Sequence, residues 1–387
     1  MKYRLSYSTW GKEEETAIKN IINKSQLTMS KITQVFEEKF AKKLNRKYAV
    51  MVNSGSSANL ISIASLFYKK DSPLKKGDEV LVPAIAWSTT YTPLQQYGLR
   101  VKVIDCAQDS LNVNFNKLSK HITNKTKLII GVSILGSPAE LDKIEQICRK
   151  KNIYFFNDNC ESLGAKIKKK ETGSFGLIAS HSFFFSHHIS TIEGGMIVTD
   201  NYEIYCLLLS LRAHGWTRNL PKKNPLVYEK KQKLFEQYNF ILPGYNVRPN
   251  EIYAAIGIQQ LKKLDKMIIQ RRKNLALFEK LFSNIDYLNY FKSNNFDSSF
   301  SFPLILKEKN QKLLNRIFKI LKDNKIEFRL ITGGCFTKHT YAKYFKLEIP
   351  EKLINAEYFH NYGFFVGNSS IDLTNQLRLL HKCLERI

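Results

Sequence analysis

The chain has 387 residues, 43% of them hydrophobic and 24% charged, a globular balance that excludes wholesale disorder and predicts two or three domains at roughly 150 residues each. No apolar run approaches the ~18 residues a membrane helix needs, and the opening MKYRLSYSTWGKEEE lacks the apolar core of a secretory signal, so a soluble cytoplasmic protein is expected. The formal charge of +26 is open to three readings: a lysine-rich solvated surface, a nucleic-acid footprint, or attraction of an anionic small substrate. The lysines are spread along the chain in runs such as KFAKKLNRKYAV and KIKKKE, with no helix-turn-helix, zinc-finger or RNP pattern, which favours the solvated surface. Six cysteines, at 106, 148, 160, 206, 335 and 383, include no CxxC-type pair, so neither a disulfide framework nor a zinc knuckle is indicated.

In chain order, 48–53 (YAVMVN) reads as a short strand, followed by a small-residue turn and an apolar helix over about 58–68. GDEVLVP, VKVIDC, LIIGVSIL and IYFFND read as further buried strands, with helical segments such as PAELDKIEQICRKK between them. Such alternation predicts an α/β fold with a mostly parallel sheet covered on both faces. After Asp200 comes a helix, NYEIYCLLLSLRAHG, and then a polar, lysine-rich stretch, 219–237, expected to be a long exposed loop. From about 250 to 285 apolar residues recur at three- and four-residue spacing, which predicts one long helix bridging two domains. SFPLILKE, a helix near 311–322, IEFRLIT and a C-terminal helix then predict a small α+β domain. The expected division is a large domain, 1–249, and an interdomain helix with a small C-terminal domain, 250–387.

Three segments carry polar residues in patterns that suit chemistry. NSGSSANL, 53–60, lies between a strand and a helix, where Gly55 allows a tight turn and Ser56 and Ser57 offer hydroxyls and backbone N–H groups at the helix start. This suits a phosphate, or an ordinary N-cap turn. In YFFNDNCESLGA, 154–165, Asp158 ends a buried strand, where it either holds a protonated ring nitrogen or caps a helix. SFFFSHHISTIEGGMIVTD, 182–200, contains the adjacent His187 and His188 beside polar residues. A metal site is the rival reading, but no second His or Cys group stands at ligand spacing nearby, and adjacent side chains diverge.

Together these segments, with PAIAWSTTYTPL (83–94) and GYNVRPNEIYAAIGIQQLKKLD (244–265), resemble the DegT/DnrJ/EryC1/StrS family of sugar aminotransferases over nearly the whole chain. The resemblance implies the type I aminotransferase fold and the cofactor pyridoxal 5′-phosphate (PLP). It implies that Ser56, Ser57 and Ser182 bind the cofactor phosphate, that Trp87 stacks on the ring, and that Asp158 pairs with the ring nitrogen. Glu161, where many relatives carry Gln, would approach the ring hydroxyl. Asn246 would reach the phosphate of a partner subunit, which implies a homodimer.

The departure from the family lies at His187, where aminotransferases place the lysine that tethers PLP. The run from Glu171 to Pro221 contains no lysine at all. Imidazole forms no stable imine but moves protons near neutral pH. This substitution, the His-His pair before Glu-Gly-Gly, the DNCES run and FFVGNSS (364–370) resemble the family's nucleotide-sugar 3-dehydratases. One branch of these carries a [2Fe–2S] cluster fed by a reductase, and its four thiolates would fall between Cys206 and Cys335, an interval without cysteine. The metal-free branch is the better match. That resemblance implies a PLP/pyridoxamine 5′-phosphate (PMP) enzyme with His187 as its catalytic base. It would remove the C3 hydroxyl of a GDP-linked 4-keto-6-deoxy sugar, with L-glutamate as amino donor, on a dideoxysugar pathway for surface polysaccharide. No metal, reductase, nucleic acid or membrane partner is expected. The alternatives are a sugar aminotransferase adapted to histidine and an inactive relative acting as a binding module.

Overall fold

The computed structural model describes residues 2–23, 26–227, 233–236, 238–294, 296–385 and 387. Helices α1 (Lys12–Asn23) and α2 (Lys31–Lys43) precede β1 (Tyr48–Val52), α3 (Gly55–Phe67), β2 (Glu79–Pro83), α4 (Ser88–Gln96) and β3 (Arg100–Ile104). Then come α5 (Phe115–Lys120), β4 (Thr126–Val132), α6 (Leu141–Lys151) and β5 (Tyr154–Asp158). A short hairpin, β6 (Lys166–Ile167) and β7 (Lys170–Glu171), leads to β8 (Ile178–Ser182), β9 (Gly195–Thr199), α7 (Tyr202–Leu211), α8 (Lys233–Glu236) and α9 (Glu251–Phe282). The rest is β10 (Leu288–Asn289), β11 (Ser301–Leu306), α10 (Gln311–Asp323), β12 (Phe328–Leu330), β13 (Lys346–Glu348), α11 (Ile354–Tyr362), β14 (Gly363–Gly367) and α12 (Thr374–Leu384).

The large sheet runs β1-β9-β8-β5-β4-β2-β3-β13. Its strands pair in parallel from β8 to β13, and β9 lies antiparallel to both β1 and β8. β2 is buried at every position, consistent with the apolar VLVP that ends GDEVLVP: helices cover both faces. One core cluster joins the sheet to α3, α4 and α7, and others join it to α2 and α9 and to α5 and α6.

A second, antiparallel sheet, β10-β11-β14-β12, has its own core with α10, α12 and the end of α9. Helix α9 has 32 residues, a length of about 48 Å. Its Ala254 and Leu264 pack in the α2 cluster, and its Leu275, Phe278 and Phe282 pack in the second core. The long periodic stretch therefore does span both cores. Among the described residues no helix is long and apolar enough to cross a membrane.

Two details differ from the sequence reading. Helix α3 begins at Gly55, three residues early, because the Ser54 side chain caps it by accepting from the Ser57 N–H. Of the expected loop 219–237, residues 228–232 and 237 lie outside the described residues. The described part is not wholly exposed: Leu220 is buried, and Leu226 and Val227 pack against the main core, because apolar side chains punctuate the lysines.

The two sheets are also stitched across the sequence. β13, from the C-terminal third, pairs in parallel with β3, and Tyr3 sits in the second core with its hydroxyl donating to Gly367 O (2.7 Å). Asp105, just past β3 and fully buried, accepts from the N–H groups of Asn355 (3.2 Å) and Ala356 (2.9 Å) at the start of α11 and from Lys117 Nζ (3.1 Å). A carboxylate from one sheet thus caps a helix that packs on the other. Asp105→Ala leaves those two N–H groups without their acceptor and leaves Lys117 with the more distant Glu351 (3.4 Å), so urea unfolding should show a loss of about 2 to 4 kcal/mol. A loss below about 0.5 kcal/mol, the usual effect of a surface change, would sink this account.

Candidate active site

In open α/β sheets, ligands bind beyond the C-terminal ends of the parallel strands, and the polar residues gather there. Asp158 ends β5 at 3% exposure. Its Oδ2 accepts from Asn59 Nδ2 (2.8 Å) and Thr90 Oγ1 (2.8 Å), and its Oδ1 accepts from the Cys160 N–H (3.2 Å). Asn59 is in turn held by Ser180 Oγ, which donates to its Oδ1 (2.6 Å). A buried carboxylate with this many neutral donors keeps its orientation. Such a group can hold a protonated ring nitrogen.

Beside it the start of α3 offers unsatisfied backbone N–H groups and the positive end of the helix dipole. Gly55 makes this approach possible. A Cβ there would lie 2.6 Å from Ser182 Cβ and 3.1 Å from Cys160 Sγ, so the missing side chain lets the helix start press on the end of β8. Ser56, Ser57 and Ser182 are thereby brought to one cradle, and Ser56 Oγ hydrogen-bonds Thr89 Oγ1 (2.9 Å). Trp87, immediately before α4, leaves 58% of its surface exposed. Thr89 and Thr90 from the same segment reach Ser56 and Asp158, so this indole flanks the cradle.

Glu161 closes the opposite side. Its Oε2 accepts from the Leu135 N–H (2.8 Å) and its Oε1 from Thr332 Oγ1 (2.7 Å). Burial, with a smaller push from Asp158, raises its carboxyl to about 7 against those two hydrogen bonds. Leu135 O then accepts from the Phe300 N–H (2.9 Å), and Gly136 O from the Ser298 N–H (2.9 Å). This brings Phe300 edge-on to His187, with ring centroids 5.1 Å apart at 73°.

The two histidines part company. His188 is 1% exposed, and its Nε2 bonds Ser298 O (2.7 Å). It therefore serves as a packed strut. His187 is only partly covered, and its Nδ1 has no hydrogen-bond partner among the described residues. Burial, and then the Arg271 charge, pushes the His187 imidazole down to about 3. It stands as a neutral base with a free nitrogen. Asn246 is exposed on the segment beside Asn53, whose N–H donates to Val247 O (3.1 Å), and its Oδ1 accepts from Arg248 Nε (3.0 Å). It makes no hydrogen bond to the other predicted site residues among the described residues.

Sequence reading missed several participants. Asn59 and Thr90 lay inside quoted motifs, and their amide and hydroxyl were a signal for partners of Asp158. Leu135, Phe300, Thr332 and Arg271 had no local signal, because only the fold brings them to the site. Among the described residues no group of three or more His, Cys, Asp or Glu side chains is arranged to hold a metal. The helix-start cradle, the buried acid, the open indole and the unpartnered imidazole nitrogen do fit a phosphorylated pyridine cofactor.

Two outcomes follow from this geometry. Gly55→Ala puts a Cβ 2.6 Å from Ser182 Cβ and so pushes the helix start off the end of β8, which opens the cradle, so cofactor affinity read by absorbance titration should fall by about tenfold or more. Unchanged affinity would place the phosphate elsewhere. The second outcome concerns acid. Burial holds His181 down to about 3 and His188 well below 6.5. Below pH ~6.5 the unfolded chain binds protons there that the folded one refuses, so stability falls as pH drops. Glu161 and Asp297, both raised to about 7, act oppositely between their unfolded values and pH 7. The loss should therefore steepen below about pH 4.5, where those two acids are protonated in both states. His181→Asn should flatten the slope of unfolding free energy by up to about 1.4 kcal/mol per pH unit. An unaltered slope would contradict a neutral buried His181.

The model of the DegT/DnrJ/EryC1/StrS aminotransferase family matches residues 8–366. The chain is 45% identical to GDP-4-keto-6-deoxy-D-mannose 3-dehydratase of Yersinia pseudotuberculosis, over 100% of this chain and 99% of that one. A crystal structure of GDP-4-keto-6-deoxymannose-3-dehydratase with a trapped PLP–glutamate geminal diamine superposes with a TM-score of 0.96 at 45% identity, covering 99% of this chain and 100% of that one. A histidine-to-asparagine variant of that dehydratase with bound GDP-perosamine superposes equally well, with a TM-score of 0.96 at 45% identity and the same coverage.

Proposed function

The chain belongs to the DegT/DnrJ/EryC1/StrS aminotransferase family, and we propose that within it the protein is a PLP/PMP-dependent 3-dehydratase. Its substrate is a GDP-linked 4-keto-6-deoxy sugar and its amino donor is L-glutamate. The observation that carries this reading is His187: an imidazole with an unpartnered Nδ1 stands where the family's tethering lysine is expected, while the residues suited to the cofactor remain.

Bound in this site, the cofactor supplies an amine that condenses with a ketone and a ring that accepts electrons. The chain's own residues do the rest. Ser56, Ser57 and Ser182 bind the phosphate at the start of α3. Asp158, oriented by Asn59 and Thr90, keeps the ring nitrogen protonated. Trp87 covers one ring face. Glu161, its carboxyl raised to about 7, donates a hydrogen bond to the ring oxygen rather than repelling it. His187 takes a proton from C4′ and returns it to the departing C3 hydroxyl. The anionic phosphate and diphosphate beside it strengthen this base, because opposite charge favours the protonated form. The two electrons that replace C–OH by C–H come from L-glutamate, which leaves as its 2-oxo acid with release of ammonia, so the balance calls for no reductase.

A homodimer belongs to this reading, with Asn246 reaching the partner's phosphate. Leu234, Phe235, Tyr238 and Phe240 are all more than half exposed, an apolar surface of the kind a subunit interface buries. The division into a cofactor-holding part, 1–249, and a smaller part, 250–387, and a cytoplasmic setting complete it.

Incubation with PLP, L-glutamate and GDP-4-keto-6-deoxymannose should yield ammonia and a 3-deoxy-4-keto product by mass spectrometry. A 4-amino sugar instead would make the protein an aminotransferase. His187→Asn should still bind PMP but lose the 3-deoxy product by about two to four orders of magnitude. Borohydride treatment of the PLP-loaded wild type should leave the polypeptide mass unchanged, whereas His187→Lys should gain a phosphopyridoxyl adduct. An adduct on the wild type would refute the loss of tethering.

A further inference from the structure

Arg271 lies midway along α9 and is 2% exposed. A buried guanidinium ordinarily has a carboxylate partner, because desolvating an unpaired charge costs several kcal/mol. Arg271 has none among the described residues: burial is the one influence on it, lowering it to about 10, and its Nε has no hydrogen-bond partner. Its Nη1 instead donates to three carbonyls, those of Ser299 (3.3 Å), Phe300 (3.3 Å) and Asn368 (3.1 Å). Asn368 reinforces the grip, its Nδ2 donating to Arg271 O (3.0 Å) and Ser299 O (3.3 Å). The segment so held is the one that supports both histidines, through the Phe300 ring against His187 and through Ser298 O against His188.

We propose that Arg271 is a positioning residue for the base: it fixes the Phe300 wall against which His187 stands, and it holds an unpaired buried charge behind that wall until an anionic ligand arrives. This rests on the reading of His187 as the base. The other ionisable groups around His187 do not compensate Arg271. His188, next in the chain, is neutral. On the β5 side, Asp158 is held by Asn59 and Thr90, and Glu161 by Leu135 and Thr332. On α9, Arg272 turns to the carbonyl of Asp297 (2.8 Å), and burial raises the Asp297 carboxyl to about 7. A full positive charge therefore bears on an imidazole with no fixed anion beside it. The cost of burying that charge is offset when a phosphate or diphosphate binds, and the same anion then makes His187 a stronger base.

The test is a titration of 15N-histidine-labelled full-length protein by NMR, with the His187 signal assigned by its absence in His187→Asn. In the ligand-free wild type, His187 should stay neutral down to pH 5. In Arg271→Met its midpoint should rise by about one pH unit, and in Arg271→Lys, which keeps the charge and loses the fork, it should stay low. The second half of the proposal is read with PMP. Wild type should exchange the C4′ proton with deuterated solvent, and Arg271→Lys should exchange it at least about tenfold more slowly at equal PMP saturation, because the Phe300 wall is released. A wild-type midpoint near 6.5, or equal midpoints in wild type and Arg271→Met, overturns the electrostatic role. Unslowed exchange in Arg271→Lys overturns the positioning role. If Arg271→Met fails to fold, the wild-type and Arg271→Lys titrations still decide, since a midpoint near 6.5 in either refutes the idea. These readouts are separate from dehydration itself: a His187→Asn enzyme that still makes product sinks the function, not the coupling of Arg271 to His187.

Discussion

The site depends on a side chain that is not there. A Cβ on Gly136 would lie 1.9 Å from Ser298 O and 2.7 Å from the Phe300 N, so only glycine lets the segment before β11 close on the end of β4. Gly136 and Leu135 both have positive φ, 88° and 51°, a conformation that costs a residue with a Cβ about 1–2 kcal/mol. In return this turn points the Leu135 N–H at Glu161 and two carbonyls at the Ser298 and Phe300 N–H groups. One tight turn therefore registers the cofactor side of the large sheet against the wall behind His187. Thr332, reaching Glu161 from beyond β12, makes a second tie between the same two parts.

The electrostatics of this region are local and owe little to the charge of +26. Several lysines are matched at close range: the buried Lys102, for one, sits between Glu79 (2.8 Å) and Glu348 (3.1 Å) at the edge where β13 joins β3. In the site the order is reversed. Asp158 is surrounded by neutral donors, Arg271 by carbonyls, and the histidines by aromatic rings. Water exclusion strengthens every interaction among such groups. Charges held apart in this way leave room for the charges of a ligand. A site prepared for a phosphorylated cofactor and a nucleotide diphosphate does not need acids of its own to balance its cations.

Much of the frame was legible because it is written in short-range pattern. Apolar runs gave β2 and β4, and three- and four-residue spacing gave α9 almost to its ends. The strand-to-helix turns displayed the Ser56–Ser57 pair and Asp158 in view of each other. What stayed hidden depends on contacts far apart in sequence. Phe300 reaches His187 only after α9 has crossed between the two cores. Arg271 reads as one more cation on a lysine-rich helix until its burial is seen. The start of α3 was placed late because an apolar pattern begins at Ala58, whereas the helix is nucleated by a hydrogen bond from Ser57 to Ser54. The sequence already set the adjacent histidines apart, and packing supplies the contrast that pattern could not: one nitrogen of His188 is bonded to Ser298, and Nδ1 of His187 has no hydrogen-bond partner among the described residues.

That asymmetry explains how one position can decide a reaction without disturbing the fold. The loop that carries His187 joins the antiparallel strands β8 and β9 and closes on its own backbone. The Phe183 N–H donates to Gly194 O and the Thr191 N–H to Phe183 O, both at 2.9 Å. Phe183 anchors the loop in the core, and its backbone strain is concentrated at Ile192, whose φ of 72° is a rare conformation for a β-branched residue. The His187 side chain contributes none of these hydrogen bonds. The hydrogen bond that residue 187 makes within the loop is a backbone N–H to Phe184 O (2.9 Å), which any residue but proline can make. A lysine and an imidazole are therefore interchangeable to the scaffold and opposite to the chemistry. The first can tether an aldehyde and the second only moves protons, so on the proposed reading of His187 the choice of chemistry would rest on this one side chain.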